Sequence, residues 1–474
     1  MKKTNSVLII LIMFFYGCNF SSMNVDPNSL TSDVISVEYR LPTFQYLYFS
    51  TLGGSIVKRI GNVSGYVTYV NGPVGLNNYI FTPADGSNIS LWENLYLAMN
   101  SGYQLIERAN ADKQSHYRGI AKILMASAIG TTTSIYGDVP FSQAFEAAKY
   151  QFPIFDSQEN IYASIQKMLD EGINDLTNPV EGKKPGSDDL IFKGDVSKWI
   201  KVAYGLKARY YLHTIKVNSQ AYEQAKSALA LSLTSNSDNC FITFEQGQTG
   251  NLAPLYLERT GTLETEVDPV FADLLLTLND PRKDFYAQIK KSLLTGTRAK
   301  YGPFYAMANS SFPLLTYEEC LFMQTEIEMK TTGKLSAKPI FKNAIQASLE
   351  RVCKTEVGSS DPSENNLVKA LPDSILSKYA TSQSNIGLLT DEEVWKKIFQ
   401  QKYIALFLQS ETWNDYRRTE KYISGIAGLP EIKIRSGNQM PRRLQYSSRE
   451  VSQRLQNIPP DYSIFDRFWW DAKP

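Results

Sequence analysis

His116 and His213 are the only histidines in this 474-residue chain, so acid–base chemistry near neutral pH has few places to sit. Each falls in or beside a helical stretch, where a histidine is more often a satisfied structural residue than a base. No Gly-x-Ser-x-Gly elbow, His-Glu-x-x-His helix, phosphate loop or Gly-x-Gly-x-x-Gly turn occurs. The sequence therefore predicts no catalytic residue. Acidic neighbours do occur, at Asp188-Asp189, Glu318-Glu319 and Glu392-Glu393. Successive residues on a helix point to different faces, so these pairs read as solvated surface. A two-carboxylate glycosidase site stays open, because its acids need not be close in the chain, and a surface hydrolase is the alternative function. With no EF-hand loop and no Cys/His cluster, neither a metal nor a cofactor is expected. Cys240, Cys320 and Cys353 are widely spaced and read as free buried thiols.

Cys18 has a different setting. Lys2 and Lys3 precede an unbroken apolar run from Val7 to Tyr16, and Gly17-Cys18 close it. The run is shorter than the roughly 20 residues that span a bilayer, and it matches a secretory h-region. Gly17-Cys18 looks like the end of a bacterial lipobox. Residues 1–17 then read as a lipoprotein signal peptide and Cys18 as the lipidated first residue of the mature chain. Acyl chains there would hold a soluble body on the membrane with about 0.8 kcal/mol per buried CH₂. Residues 18–45 read as a tether or arm, Ser/Asn/Pro-rich through residue 30. Residues 46–474 form the folded domain.

The balance of 49 Lys+Arg against 48 Asp+Glu excludes the broad basic face that a nucleic-acid binder needs. The elements are mainly helices. Apolar residues recur at helical spacing over Trp92–Ala109, Tyr117–Ile135 and Ser157–Leu176, the last with Asp156 as its expected cap. Further helices are expected over Asp195–Ile215, Gln220–Leu233, Tyr317–Lys330, Pro339–Val352 and Asp391–Leu408. The fold class is mostly α, a single domain of TPR-like helix pairs that bury their faces by stacking.

Between the helices run long polar stretches at 61–86, 241–267 and 301–312. Loops of this length are uncommon inside a compact domain unless they are functional. They concentrate Tyr66, Tyr69, Asn71, Asn77, Asn78 and Tyr79 in the first stretch. Asn251, Tyr256 and Arg259 lie in the second, and Tyr305 and Asn309 in the third. Tyrosine offers contact area at low entropy cost and asparagine offers adaptable hydrogen bonds, so these are the candidate ligand residues. All six tryptophans lie outside these stretches, which tilts the reading slightly toward oligopeptides over glycans.

Several segments in order resemble the SusD/RagB family of nutrient-binding outer-membrane lipoproteins. They are WENLYLAMNSGYQLIERA at 92–109, YGDVPFSQAF at 136–145, WIKVAYGLKARYYLH at 199–213 and LNDPRKD at 278–284. PLLTYEECLFMQTEIEMKTTG at 313–333, WKKIFQQKYIALFLQSETWNDYRRT at 395–419 and PRRLQYSSRE at 441–450 follow, before the Trp469-Trp470-Asp471 close. The resemblance implies four TPR-like helix pairs as scaffold, loops as the ligand face, and no catalysis. It also implies a partner, a SusC-like TonB-dependent β-barrel transporter that the lipoprotein caps as a lid. The oligopeptide or oligosaccharide cargo would be captured between them at the outer membrane, facing the cell exterior. Trp199, Trp395, Arg417, Arg418, Trp470, Asp138 and Pro140 mark the resemblance but read as framework.

Overall fold

The computed structural model describes residues 35–71, 74–82, 84–245, 253–256, 264–294, 296–358, 367–423, 440–453, 457–459 and 463–472. Cys18 and the signal segment lie outside the described residues, as do Asn251 and Arg259.

The chain is mostly helical. The first helix, α1 (Val37–Thr51), begins inside the stretch read as an arm. Leu41, Phe44 and Tyr48 fall three and four residues apart and are fully buried, so residues 37–45 are core and not tether. A π-helical turn over Leu52–Ile56 carries α1 into α2 (Val57–Val63). Next come α3 (Gly86–Ala111) and α4 (Ser115–Tyr136), an antiparallel pair, and α5 (Gln158–Thr177), packed against α4. The α5 cap is Ser157, whose side chain accepts from the Asn160 N–H. Asp156 instead accepts from the Phe141 and Ser142 amides, fastening the turn that follows α4. Asp138 in that turn accepts from the Gln158 amide, so the Gly-Asp-Val-Pro stretch ties the end of α4 to the start of α5.

A second pair is α6 (Val196–His213) with α7 (Ala221–Leu229), and a third is α11 (Tyr317–Thr331) with α12 (Lys334–Cys353). After α13 (Asp373–Gln383), the fourth pair is α14 (Asp391–Ala405) with α15 (Glu411–Ile423). A capping box opens α14, Thr390 and Glu393 each bonding the other's backbone amide. Where α4 crosses α6, Gly130 faces the Tyr210 ring so closely that any Cβ would overlap it.

The stretches read as loops hold short strands. Strands β1 (Val67–Tyr69), β5 (Thr265–Val267), β6 (Ala287–Ser292) and β7 (Gly296–Tyr301) form an antiparallel sheet in the order β1-β5-β7-β6. Strand β4 (Cys240–Thr243) pairs with β8 (Ser311–Leu315), and two short strands, β2 (Val139–Pro140) and β3 (Phe155–Asp156), pair beside α5. Three short helices accompany the four-stranded sheet: α8 (Pro269–Thr277), α9 (Lys283–Tyr286) and α10 (Pro303–Ala306). An aromatic seam joins this region to the end of α14. Phe271 stacks on Phe407 at 4.5 Å, Tyr66 stacks on Tyr403 at 4.3 Å, and Tyr286 lies 4.8 Å from Phe407.

Candidate functional site

Two clusters of charge lie inside the helical layers. In the first, Arg209 of α6 grips Glu319 of α11 with two parallel bonds of 2.7 and 2.8 Å. His213, one turn on, places Nε2 2.6 Å from Glu411 and Nδ1 2.7 Å from the Tyr162 hydroxyl. The arrangement fits a neutral imidazole, with Tyr162 donating to Nδ1 and Nε2–H donating to Glu411. Burial keeps the His213 pKa below its ordinary value, only partly offset by Glu411. Burial also works against the Glu411 carboxylate, but His213, Arg209 and Lys402 outweigh it and hold its pKa down to about 2. In the second cluster Arg418 bonds both oxygens of Glu326 and also Asp415, and Lys402 reaches Asp415 at 2.7 Å.

Beside the first cluster lies a ≈ 30 Å³ void, room for a water and not for a polymer. Every ionised group there already has an opposite partner, which is the chemistry of a framework. Glu318 and Glu319, expected on the surface, are fully buried, as is Asp189. Adjacent residues do point to different faces, but α11 is covered on several sides, by α6, α7, α12 and α14. Glu318 therefore meets Arg351 and Glu319 meets Arg209. Asp189 accepts from Gln45, Trp199 and the Gly194 amide. Glu392 and Glu393 are exposed, as expected. Cys240, Cys320 and Cys353 are free and buried.

The framework reading of the motif residues holds in the same way. The Arg417 guanidinium lies 3.7 Å over the Trp413 ring and 4.9 Å over Trp470. Asp471 takes Arg442 at 2.6 Å and Lys216 at 2.9 Å. The chain's closing Trp470-Asp471 thus locks α15 to α6.

An open groove of ≈ 450 Å³ lies where β4, α10 and the start of β8 meet the C-terminal end of α12. Phe241, Phe304, Met307, Asn309 and Arg351 line it. Phe241 is outward because the strand alternates, Cys240 and Ile242 taking the core side. Arg351 sits 5.3 Å over the Phe304 ring. Its Nε donates to Glu318 at 2.5 Å, and longer contacts reach the Tyr305 hydroxyl at 3.4 Å and the Ala405 carbonyl at 3.3 Å. Three of its five N–H donors have protein partners among the described residues, which leaves two. Burial opposes its charge, and Glu318 outweighs burial, so the guanidinium stays protonated. The groove therefore offers aromatic faces beside amide, hydroxyl and guanidinium groups. A shallower hollow of ≈ 390 Å³, lined by Tyr204, Lys207, Tyr211 and Leu231, lies on the outside of the α6–α7 pair.

The candidate residues divide. Asn309 is exposed in the groove. Asn71 is exposed, while Asn78 and Tyr256 are half-buried, and none of these three lines it. Tyr66, Tyr79 and Tyr305 are buried in the core, which corrects their placement on a ligand surface. Their rings fill the aromatic seam and its edges, and the Tyr66 hydroxyl is satisfied by the Tyr403 carbonyl at 2.6 Å. Tyr69 is likewise buried in strand β1, and Asn77 is spent on its backbone, bonding both the Tyr69 N–H and carbonyl. Phe241, Phe304 and Arg351 escaped the sequence reading. Strand alternation around Phe241 was a signal; for Arg351 none existed, because its neighbours come from distant segments.

The fold thus combines a helix-pair scaffold whose ion pairs are sealed with an open aromatic groove at its strand-bearing side. Residues 43–447 match the model of the SusD-like family described as starch-binding associating with outer membrane, and the chain belongs to that family. The family's members are nutrient-binding proteins associated with the outer membrane. Among solved structures, a SusD/RagB family protein from Bacteroides thetaiotaomicron superposes with a TM-score of 0.73 at 19% identity, over 93% of this chain and 100% of that one. A SusD homolog from Bacteroides fragilis gives 0.73 at 17%, covering 93% and 100%. A chitin-binding SusD homolog from Flavobacterium johnsoniae gives 0.67 at 18%, covering 92% and 99%. At such identities the likeness is one of fold. No curated protein sequence matches the chain.

Proposed function

We propose that this protein is a lipid-anchored outer-membrane binder that captures an oligosaccharide in the Phe241–Phe304–Arg351 groove. It then delivers the cargo to a SusC-like TonB-dependent β-barrel transporter as that barrel's lid. The observation that carries the reading is the pairing of two aromatic faces with free guanidinium and amide donors, in a member of a family described as starch-binding. Sugar rings present an apolar face and a rim of hydroxyls, and the groove has the complement of both. This moves the ligand from the oligopeptide preference of the sequence toward glycans. Two of the chain's structural neighbours are chitin-binding proteins, which supports the same direction.

Calorimetry of the purified protein with chito- and malto-oligosaccharides and with mixed peptides tests the ligand class. Glycan binding that falls in Phe304→Ala and survives in Tyr204→Ala supports the groove over the outer hollow. Binding of peptides alone would return the protein to the peptide class. Multiple turnover of any bound polymer would overturn the binding-only reading. Cys18→Ala should leave the membrane fraction when the transporter is absent, and mild detergent extraction should recover the native chain with a large β-barrel.

A further inference from the structure

The β6–β7 hairpin carries two of the three most exposed large apolar side chains among the described residues, Leu293 at 108% and Leu294 at 97% relative exposure. They sit side by side at the tip, between Ser292 and its cross-strand partner Gly296. The hairpin ends the four-stranded sheet, with β6 as the edge strand. Scattered exposed leucines are ordinary on a protein surface; two adjacent ones at a protruding turn are an interaction tip.

The strands behind the tip are basic. Residues 287–301 contain Lys290, Lys291, Arg298 and Lys300 and no acid. Register places Lys290 directly opposite Arg298, and Gln288 opposite Lys300. Lys290, Arg298 and Lys300 therefore share one face, the face away from buried Ala299. Like charges directly opposite one another destabilise a hairpin unless a carboxylate offsets them. The carboxylates packed nearby are Glu266 on β5, 2.9 Å from Arg298, and Asp273 on α8, 3.7 Å from Lys291. Among the described residues Lys290 and Lys300 have no ion pair.

We infer that the β6–β7 hairpin is a membrane-contact element, its Leu293-Leu294 tip entering an anionic lipid surface while Lys290, Arg298 and Lys300 meet the head-group phosphates. Apolar insertion and cation–phosphate attraction are the two terms that hold peripheral proteins on lipid, and the hairpin has both in the right order, leucines ahead of cations. The inference rests on the family's outer-membrane association and is independent of the glycan groove.

Leu294→Cys in a Cys18→Ser chain supplies the thiol for an environment-sensitive fluorophore, because Cys240, Cys320 and Cys353 are buried. Vesicles of phosphatidylcholine alone and with one-third phosphatidylglycerol are then compared. The expected result is a blue shift and brightening with the anionic vesicles only, weakened by salt. Vesicle partitioning of a Lys290→Glu/Lys300→Glu chain should fall at least tenfold, with its circular dichroism unchanged. Flotation of the unlabelled protein reports the Cys18 anchor separately, so a missing anchor and an indifferent tip are distinguishable. Emission unmoved by either vesicle, or moved equally by both, overturns the inference. So does a shift that appears only on adding solubilised outer-membrane protein, which would make the tip a protein-docking element.

Discussion

Arg418 and Arg351 are both helical arginines paired with a glutamate, and their surroundings differ in one respect. Arg418 directs bonds from all three of its nitrogens to Glu326 and Asp415, and its side chain is 1% exposed. Arg351 keeps donors unspent, is 10% exposed, and lies over an aromatic ring at an open groove. The same contrast runs through the regions they belong to. In the layers of α6, α11, α14 and α15 the charges close on one another. On the strand-bearing side Phe241, Leu293, Leu294, Lys290 and Lys300 face solvent, and Phe304 is half-buried at the groove. A buried charge is tolerable only when its partners are complete, whereas recognition needs groups left incomplete until a ligand arrives.

The contrast breaks most easily in the framework. Arg418→Ala would leave Glu326 and Asp415 buried without their main partner, and stability in denaturant should fall by about 3–5 kcal/mol. Replacing Arg418 by Met together with Glu326 by Leu should recover much of that loss, since the desolvation penalty goes with the pair. A single variant as stable as the parent would show that the cluster is solvated.

Gly130→Ala should cost about 1–3 kcal/mol, because the new methyl overlaps the Tyr210 ring at the α4–α6 crossing. Its binding of glycan per folded molecule should be unchanged, which a calorimetric stoichiometry near the parent's would verify.

Phe304→Ala sharpens the other side of the comparison. Thermal unfolding should hardly move, while glycan affinity should weaken about tenfold, or about 1.4 kcal/mol. Equal losses of stability and affinity would place Phe304 in the core and not in the site.

The smallest effect is one of pH. His213 is neutral when folded, its pKa held below 6.5, so the unfolded chain binds the extra proton as pH falls. Its contribution is present above pH 6.5 and declines below it. Glu411, held down to about 2, contributes above its ordinary 4.5 and loses that contribution between there and pH 2. A parent whose melting temperature falls between pH 7.5 and 5.5, beside a His213→Gln variant with a flatter profile, is the expected pair of curves. Parallel curves would mean that His213 takes up its proton equally in the folded and the unfolded chain.

Local periodicity was enough to place the long helices. Trp92, Leu95 and Met99, or Ile161, Ile165 and Leu169, declare a buried stripe without help from any other part of the chain. Trp199 and Trp395 were legible as framework for the same reason, being embedded in those helices, whereas Arg417 and Arg418 lie on α15, which periodicity did not place, and Trp470 lies outside any helix. What tertiary structure alone decided is partnership across distance. Strands of three to six residues at 67–69, 265–267 and 287–301 are too short to show alternation, and they become strands only by pairing with one another. Tyr66, Tyr79 and Tyr305 look like surface residues in a polar stretch, yet the seam beside Phe271 and Phe407 takes Tyr66 and Tyr305 in. Glu318 and Glu319 look like solvated neighbours until two arginines from other helices arrive on either side. Sequence fixes which faces of a helix can be buried; only packing determines which partner covers them, and hence which donors are left over for a ligand.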